Sequence, residues 1–316
     1  MKKYYINKNN VEQWKCDIQK SVMFYNNWFL DFAPATYIKA REEAIYKVEN
    51  AFQKTECLNE VSAEVLKTAP EIISILRMSA TPPLARERLA GLAGVSKTLI
   101  NALESGRVPK QTDEDSLVRV IDVITKLFDR DIMPWLERRS YPHEMDRLLA
   151  EHVIGDRVCG SLSDPLIRNE QERRQLETIK NYLTGKGYKF VESKYIAGFK
   201  TLKPGCFSFR LNVPVNVGSS KVNLPADVVV MRENASDGDF PVLIECKSAG
   251  DFTNTNKRRK EEAAKIEQLR STYGKDIEFI LFLCGYFDSG YLGYEAAEGI
   301  DWVWEHRIED FEKANI

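Results

Sequence analysis

The hydrophobic period of residues 169–284 switches from helical to strand-like and back, and that order leaves few folds open. Residues 169–184 put Leu176, Ile179 and Leu183 on one stripe of a charged amphipathic helix, which Gly185 and Gly187 end. A strand follows at 188–192. Two longer runs, 207–217 and 221–231, are separated only by Gly218, Ser219 and Ser220, which predicts a long hairpin. Another strand is predicted at 241–247, a helix at 257–272 and a buried strand at 277–284. The outcome is a mixed sheet flanked by helices.

Asp227 ends the apolar-flanked stretch of one of these strands, and Glu245 and Lys247 close the next. Residues at i and i+2 of a strand share a face, so Glu245 and Lys247 project side by side while Cys246 turns into the sheet. If the two strands pair, two carboxylates and an ammonium converge. That set suits Mg²⁺ and a scissile phosphate, because the ion prefers octahedral oxygen donors and is usually held by one or two carboxylates plus water and phosphate. Asp227 and Glu245 are the predicted metal ligands, with the backbone carbonyl of Cys246 as a third. Lys247 is predicted to orient the attacking water and balance charge on the phosphoryl group. The bland alternative is a surface Asp and a strand-end ion pair.

With its flanking elements, the arrangement resembles the PD-(D/E)xK nuclease superfamily, whose core is helix, three strands, helix, strand. It departs at one point: Pro225 precedes Asp227 by two places, with Ala226 between them. That Pro is no ligand, so the chemistry survives. The resemblance also implies an extra Glu on the first helix facing the metal. Glu172 is the choice because it lies on the side of Leu176 and Ile179, with Glu170 and Glu177 as rivals and a solvated charge as the alternative.

A second segment, 86–106, reads as a short helix, a tight turn at Gly94, Ser96 as N-cap of a second helix, and Gly106 as its stop. Small Ala90 and Ala93 let the two helices cross closely. The spacing resembles a helix-turn-helix of the phage-repressor type, which puts Ser96, Lys97, Thr98 and Asn101 at the exposed start of the helix that enters the major groove. Asn favours adenine, and Lys favours guanine or phosphate. An ordinary pair of packed helices is the alternative. A third segment, with Asn254, Asn256, Lys257 and Arg258, opens the helix after the Glu245 strand, where amides, cations and a helix N-terminus suit a phosphate backbone. Gln268 and Tyr273 echo a pattern of some related nucleases, but packing explains them as well.

More narrowly, residues 86–94 with Val95, Ser96 and Lys97, then 164–175, 245–260 and 299–308, resemble the XamI family of type II restriction endonucleases. The resemblance spans most of the chain from about residue 75 onward. It implies Mg²⁺-dependent cleavage of double-stranded DNA at a short specific site, with Asp227, Glu245 and Lys247 in the catalytic places. A homodimer is the simplest way to cut both strands of a palindrome. A cognate methyltransferase belongs to such a system without being a physical partner. Two other readings are a structure-selective repair nuclease and a noncatalytic helix-turn-helix regulator with a decayed nuclease fold.

The rest of the chain bounds the function. A net charge of −2 over 316 residues fits a nuclease with a local positive groove rather than a basic DNA coat. The six cysteines include no C-x-x-C pair, and the three histidines show no metal-ligand spacing. No Gly-rich phosphate loop, signal peptide or membrane span is read, so a cytoplasmic protein is expected. Helices are predicted at 11–26, 35–54, 61–76, 115–128 and 133–139, and a Pro/Gly/Ser-bearing junction at 140–165, within which 144–152 forms a short helix at most. The predicted organisation is an all-helical domain at 1–145 carrying the helix-turn-helix, then a nuclease domain at 146–316.

Overall fold

The computed structural model describes residues 5–218, 220–236, 238–253, 255–274 and 277–316. Its helices are α1 (Val11–Lys54), α2 (Ala63–Thr68), α3 (Ile73–Met78), α4 (Arg86–Ala93), α5 (Lys97–Glu104), α6 (Glu114–Lys126), α7 (Trp135–Arg138), α8 (Glu144–Gly185), α9 (Thr255–Tyr273) and α10 (Ser289–Ala297). Its strands are β1 (Lys189–Phe190), β2 (Cys206–Val217), β3 (Ser220–Met231), β4 (Val242–Ala249), β5 (Phe279–Gly285) and β6 (Asp301–Trp304). Among the described residues no helix is long and apolar enough to cross a membrane.

Two helices are much longer than the sequence predicts. α1 is continuous over 44 residues through Pro34, where two helices were predicted. α8 is continuous over 42 residues through Pro165, where a junction was predicted. Gly155 explains part of the misreading. A Cβ at Gly155 would lie 2.8 Å from Ile45 Cγ1, so this glycine admits a close crossing of α8 by α1 and marks no turn. The chain divides into two compact units, Met1–Asp31 with Arg168–Ile316, and Phe32–Ile167. These limits fall inside α1 and α8, not at residue 145, because the first residues pack with the last.

The unit Phe32–Ile167 is helical, and its buried core includes Phe52, Leu76, Leu89, Ile100, Ile124 and Trp135. Local chemistry shapes α4 and α5. Gly94 takes φ 63° and ends α4, and Ser96 Oγ accepts the Leu99 N–H at 3.1 Å to start α5. Gly106 at φ 75° stops α5. The Glu104 carboxylate accepts from Arg77 Nε at 2.5 Å and from Arg86, which ties the end of α5 to α3 and to the start of α4.

The other unit is built on one six-stranded mixed sheet in the order β1-β2-β3-β4-β5-β6. β2, β3 and β4 are antiparallel neighbours, and β1 joins β2 in parallel. The parallel β4-β5 and β5-β6 pairs are bridged by α9 and α10 as crossover helices. On one face Leu176, Ile179 and Leu183 of α8 bury against Phe207, Val228 and Ile244. On the other, Ile266 and Leu269 of α9, Leu292 of α10 and Trp14 of α1 bury against Leu243, Leu281 and Trp302. This double coverage is why β5 is buried throughout. Before α1, the Asp301 carboxylate accepts the backbone N–H groups of Ile6, Asn7 and Lys8 at 2.8, 2.8 and 3.0 Å.

Where β4 and β5 end together, Gly285 takes φ 96°, and a Cβ there would lie 2.1 Å from the Ala249 carbonyl oxygen. Its N–H donates to Ser21 Oγ at 2.8 Å. Gly285→Ala is therefore expected to destabilise the protein by at least ~2 kcal/mol. Gly160→Ala, at a helical site where a Cβ meets nothing within 4 Å, is expected to be neutral or stabilising. Urea unfolding midpoints of the two variants check both expectations.

Candidate active site

β3 parts from β4 at Asp227. The ladder pairs Val230↔Val242, Val229↔Leu243 and Val228↔Ile244, and the next position sets Asp227 opposite Glu245. There the Cys246 N–H donates to Asp227 Oδ2 at 2.8 Å, so a side chain takes over from a main-chain acceptor. On its other side β3 pairs Phe209↔Val228 and Leu211↔Ala226 with β2, and the pair between them, Arg210 and Asp227, is skipped. Arg210 has φ 54°, and the alternation of faces shifts here: Ala226 and Leu211 are buried in the same cluster as Val229 and Met231. A strained position of this kind re-aims neighbouring side chains and ends regular pairing.

Glu245 and Lys247 are in phase with Leu243 and Ala249, which belong to the α9-covered cluster, so both point to that side. Lys247 Nζ lies 3.0 Å from Glu245 Oε1. A second ammonium, Lys265 of α9, donates to Glu245 Oε2 at 2.5 Å and to the Pro225 carbonyl at 2.6 Å. Lys247 also lies 3.6 Å from Glu262 of α9, whose other oxygen accepts from the Tyr291 hydroxyl at 3.3 Å. Glu262 and Glu295 are 2% and 1% exposed, so their charge is not relieved by water. Cys246 packs its side chain toward the α8-covered face, as the alternation predicts.

The electrostatics follow from burial. Burial pushes Asp227 up to about 6, with the Glu245 charge adding to it. Burial likewise lifts Glu262 to about 7 and, with the Glu262 charge, Glu295 to about 8. Burial alone would lower Lys247, but the Glu245 and Glu262 carboxylates outweigh it and hold the ammonium above the ordinary lysine value. Buried carboxyls that resist ionising thus stand beside the Lys247 ammonium in a poorly hydrated cluster.

Other predicted residues are distributed differently. Glu172 is turned to Arg210, which donates to it at 2.5 and 3.1 Å, and its side chain is 40% exposed. Glu170 pairs with Arg173 on its own helix. A polar α8 side chain that reaches β4 is Gln175, buried, whose amide donates to the carbonyls of Lys247 and Phe282 at 3.3 Å each. Sequence reasoning missed Gln175, Glu262 and Lys265. A signal existed for the first, a polar residue beside Leu176 on the apolar stripe. Ser96, Lys97, Thr98 and Asn101 are exposed in the other unit, with Ser96 acting as a cap and Lys97 paired to Glu87 at 2.5 Å. Asn254 lies outside the described residues, as do the side chains of Asn256, Lys257 and Arg258.

Among the described residues no group of three or more His, Cys, Asp or Glu side chains is arranged to hold a metal ion. The pair Asp227 and Glu245 nonetheless suits a hard dication, which needs only one or two carboxylates with water and phosphate oxygens. Burial raises the proton affinity of Asp227, with the Glu245 charge adding to it, and a bound cation would favour the ionised form.

The model of the family described as XamI restriction endonuclease matches residues 56–304, and so spans both units. The chain belongs to the XamI restriction endonuclease family. The type II restriction enzyme SalI of Streptomyces albus G is 47% identical to it over 313 residues, covering 98% of this chain and 99% of that protein. A solved structure of protein VC1899 from Vibrio cholerae overlaps 80% of the chain and 55% of its own length at 14% identity, with a TM-score of 0.28. Nothing about the fold follows from so low a score.

In this XamI-family chain the buried carboxyls make a testable pH signature. A carboxyl whose folded pKa is raised keeps a proton that the unfolded chain has lost, so its contribution to stability falls as pH rises through that window. The window runs from 3.8 to about 6 for Asp227 and from 4.5 to about 8 for Glu295. Glu295→Gln is thus expected to gain melting temperature relative to the unmodified protein as pH rises from about 5 to about 8. Thermal unfolding at both pH values measures it, and a constant difference would contradict the assignment.

Proposed function

We propose that this protein is a type II restriction endonuclease that hydrolyses both strands of duplex DNA at a short specific sequence with Mg²⁺. One observation carries the reading: in a chain of this family, Asp227 lies opposite Glu245, and Lys247 stands beside it where two strands part. The helices on both faces and the β2-β3-β4 order support a PD-(D/E)xK core. Asp227, Glu245 and the Cys246 carbonyl would hold the ion, which when bound would supply a Lewis acid at the phosphate and a more acidic water.

The chain's own groups do the remainder. Lys247 orients the attacking water and offsets the charge that builds on the phosphoryl oxygens. Glu262, packed against that ammonium and fixed by Tyr291, holds it toward the phosphate. Lys265 supplies a second cation on Glu245. Glu172, the extra carboxylate of the first helix, holds Arg210 alongside Asp227. The α4-α5 pair serves as a helix-turn-helix whose Ser96, Lys97, Thr98 and Asn101 meet DNA, and Asn254, Asn256, Lys257 and Arg258 grip its backbone near the cut. The division of labour is a helical reading domain and a nuclease domain, working as a homodimer beside a methyltransferase that protects host sites.

Unmethylated phage DNA with Mg²⁺ is expected to yield discrete fragments, and chelation by EDTA to stop cutting until Mg²⁺ is restored. Smears or branch-only cutting indicate a repair nuclease, and shifted but uncut DNA a regulator. Asp227→Ala and Lys247→Ala are each expected to slow cleavage by at least ~100-fold while duplex binding persists in mobility shifts. Full cutting by either variant rejects the assignment. Gel filtration is expected to give about twice the 36.3 kDa chain mass, and a monomer both free and on DNA rejects the dimer.

A further inference from the structure

The β2-β3 hairpin runs on past the rest of the sheet. β4 pairs with β3 only over Val228, Val229 and Val230, so the stretch 220–226 has β2 alone as its ladder partner. One face of this arm is accounted for, since Leu211, Val213, Val215 and Ala226 are buried in the cluster to which α9 contributes Ile266 and Leu269. The opposite face is exposed, and its residues pair across the strands as Asn212↔Pro225, Pro214↔Asn223 and Asn216↔Lys221.

That face has a composition that folding does not explain. Asn is depleted in strands, yet three lie on one side of a two-stranded ribbon, a structure with little stability to spare. Between 211 and 226 the one charged residue is Lys221, so no carboxylate repels a phosphate. Pro214 and Pro225 lack an N–H and discourage strand addition, which disfavours a second copy of the chain as occupant. Along β3, Asn223 is four residues and Lys221 six residues from Asp227, roughly 13 and 20 Å at strand rise. A duplex major groove, about 12 Å wide, admits a two-stranded ribbon, and Asn pairs bidentately with adenine.

We propose that this face of the hairpin enters a groove of the DNA being cut, with Asn212, Asn216 and Asn223 reading base edges and Lys221 holding a phosphate. The assignment rests on the endonuclease reading and adds a second sequence-reading element, separate from α5. Each amide that meets a base edge discriminates by roughly tenfold or more against the wrong base pair. Lys221 contributes grip without sequence preference.

The test uses the full chain with Mg²⁺, unmethylated phage DNA and a pool of duplexes of randomised sequence, with the ends of the products sequenced. If the unmodified protein cuts nothing, the endonuclease reading fails and the hairpin assignment with it. Given a cutting protein, Asn212→Ala/Asn216→Ala/Asn223→Ala is expected to lose at least ~100-fold in rate at the preferred site and to accept substituted base pairs there. Its melting temperature stays unchanged because the altered side chains are exposed. Lys221→Ala is expected to weaken binding on all sequences and to flatten its salt dependence. An unchanged site and rate in the triple variant overturns the proposal, and so does a uniform loss on every sequence with the same preferred site. Lys97→Ala/Asn101→Ala in the same assay reports on α5 independently.

Discussion

The hydrogen bond from the Cys246 N–H to Asp227 marks the place where a regular ladder gives way to a site. A strand that leaves its neighbour strands a row of backbone donors, and each needs a partner when water is excluded. Here the carboxylate fills that role, so the aspartate is held by the same bond that lets the strands separate. On the other flank, the left-handed Arg210 interrupts pairing with β2 at the same level and shifts the face alternation. Asp227 is therefore freed from the pleat on both sides while remaining enclosed. Enclosure raises its proton affinity, and Lys247 and Lys265 supply the opposing charge. Placing a carboxylate there is tolerable only with those two ammoniums close by.

Much of this was legible in the amino-acid order because strands encode it locally. The alternation of 207–217 and 221–231 around a Gly-Ser-Ser turn sets the hairpin register to within a residue of β2 and β3. Glu245 and Lys247 share a face for the same period-two reason, and the caps at Gly94 and Ser96 are single-residue chemistry. Lys265 and Glu262 were not legible. They belong to a helix crowded with Lys, Arg and Glu, and which of these meets β4 depends on how α9 docks across the sheet. Glu172 illustrates the same gap. Its bond to Arg210 depends on the left-handed turn of β2 at that residue, and the contact of Gln175 with β4 depends on how α8 lies on the sheet, neither of which a helical period reports. Strand β6 and helix α10 escaped notice because each is short and their apolar residues lack a clear period.

The long helices went unread for a different reason. Pro34, Pro165, Gly155 and Gly160 are local signals for a break, yet both helices run through them. At Gly155 the missing side chain is the point, since Ile45 occupies the space. A glycine needed for close approach and a glycine needed for a turn look alike in one dimension.

The attachment of residues 6–8 to Asp301 closes a loop of some 295 positions. Such a bond cannot form on the ribosome until the whole intervening polypeptide has emerged, and β6 cannot be capped by Trp14 before then. The residues ahead of α1 therefore wait through most of synthesis for the strand that fixes them.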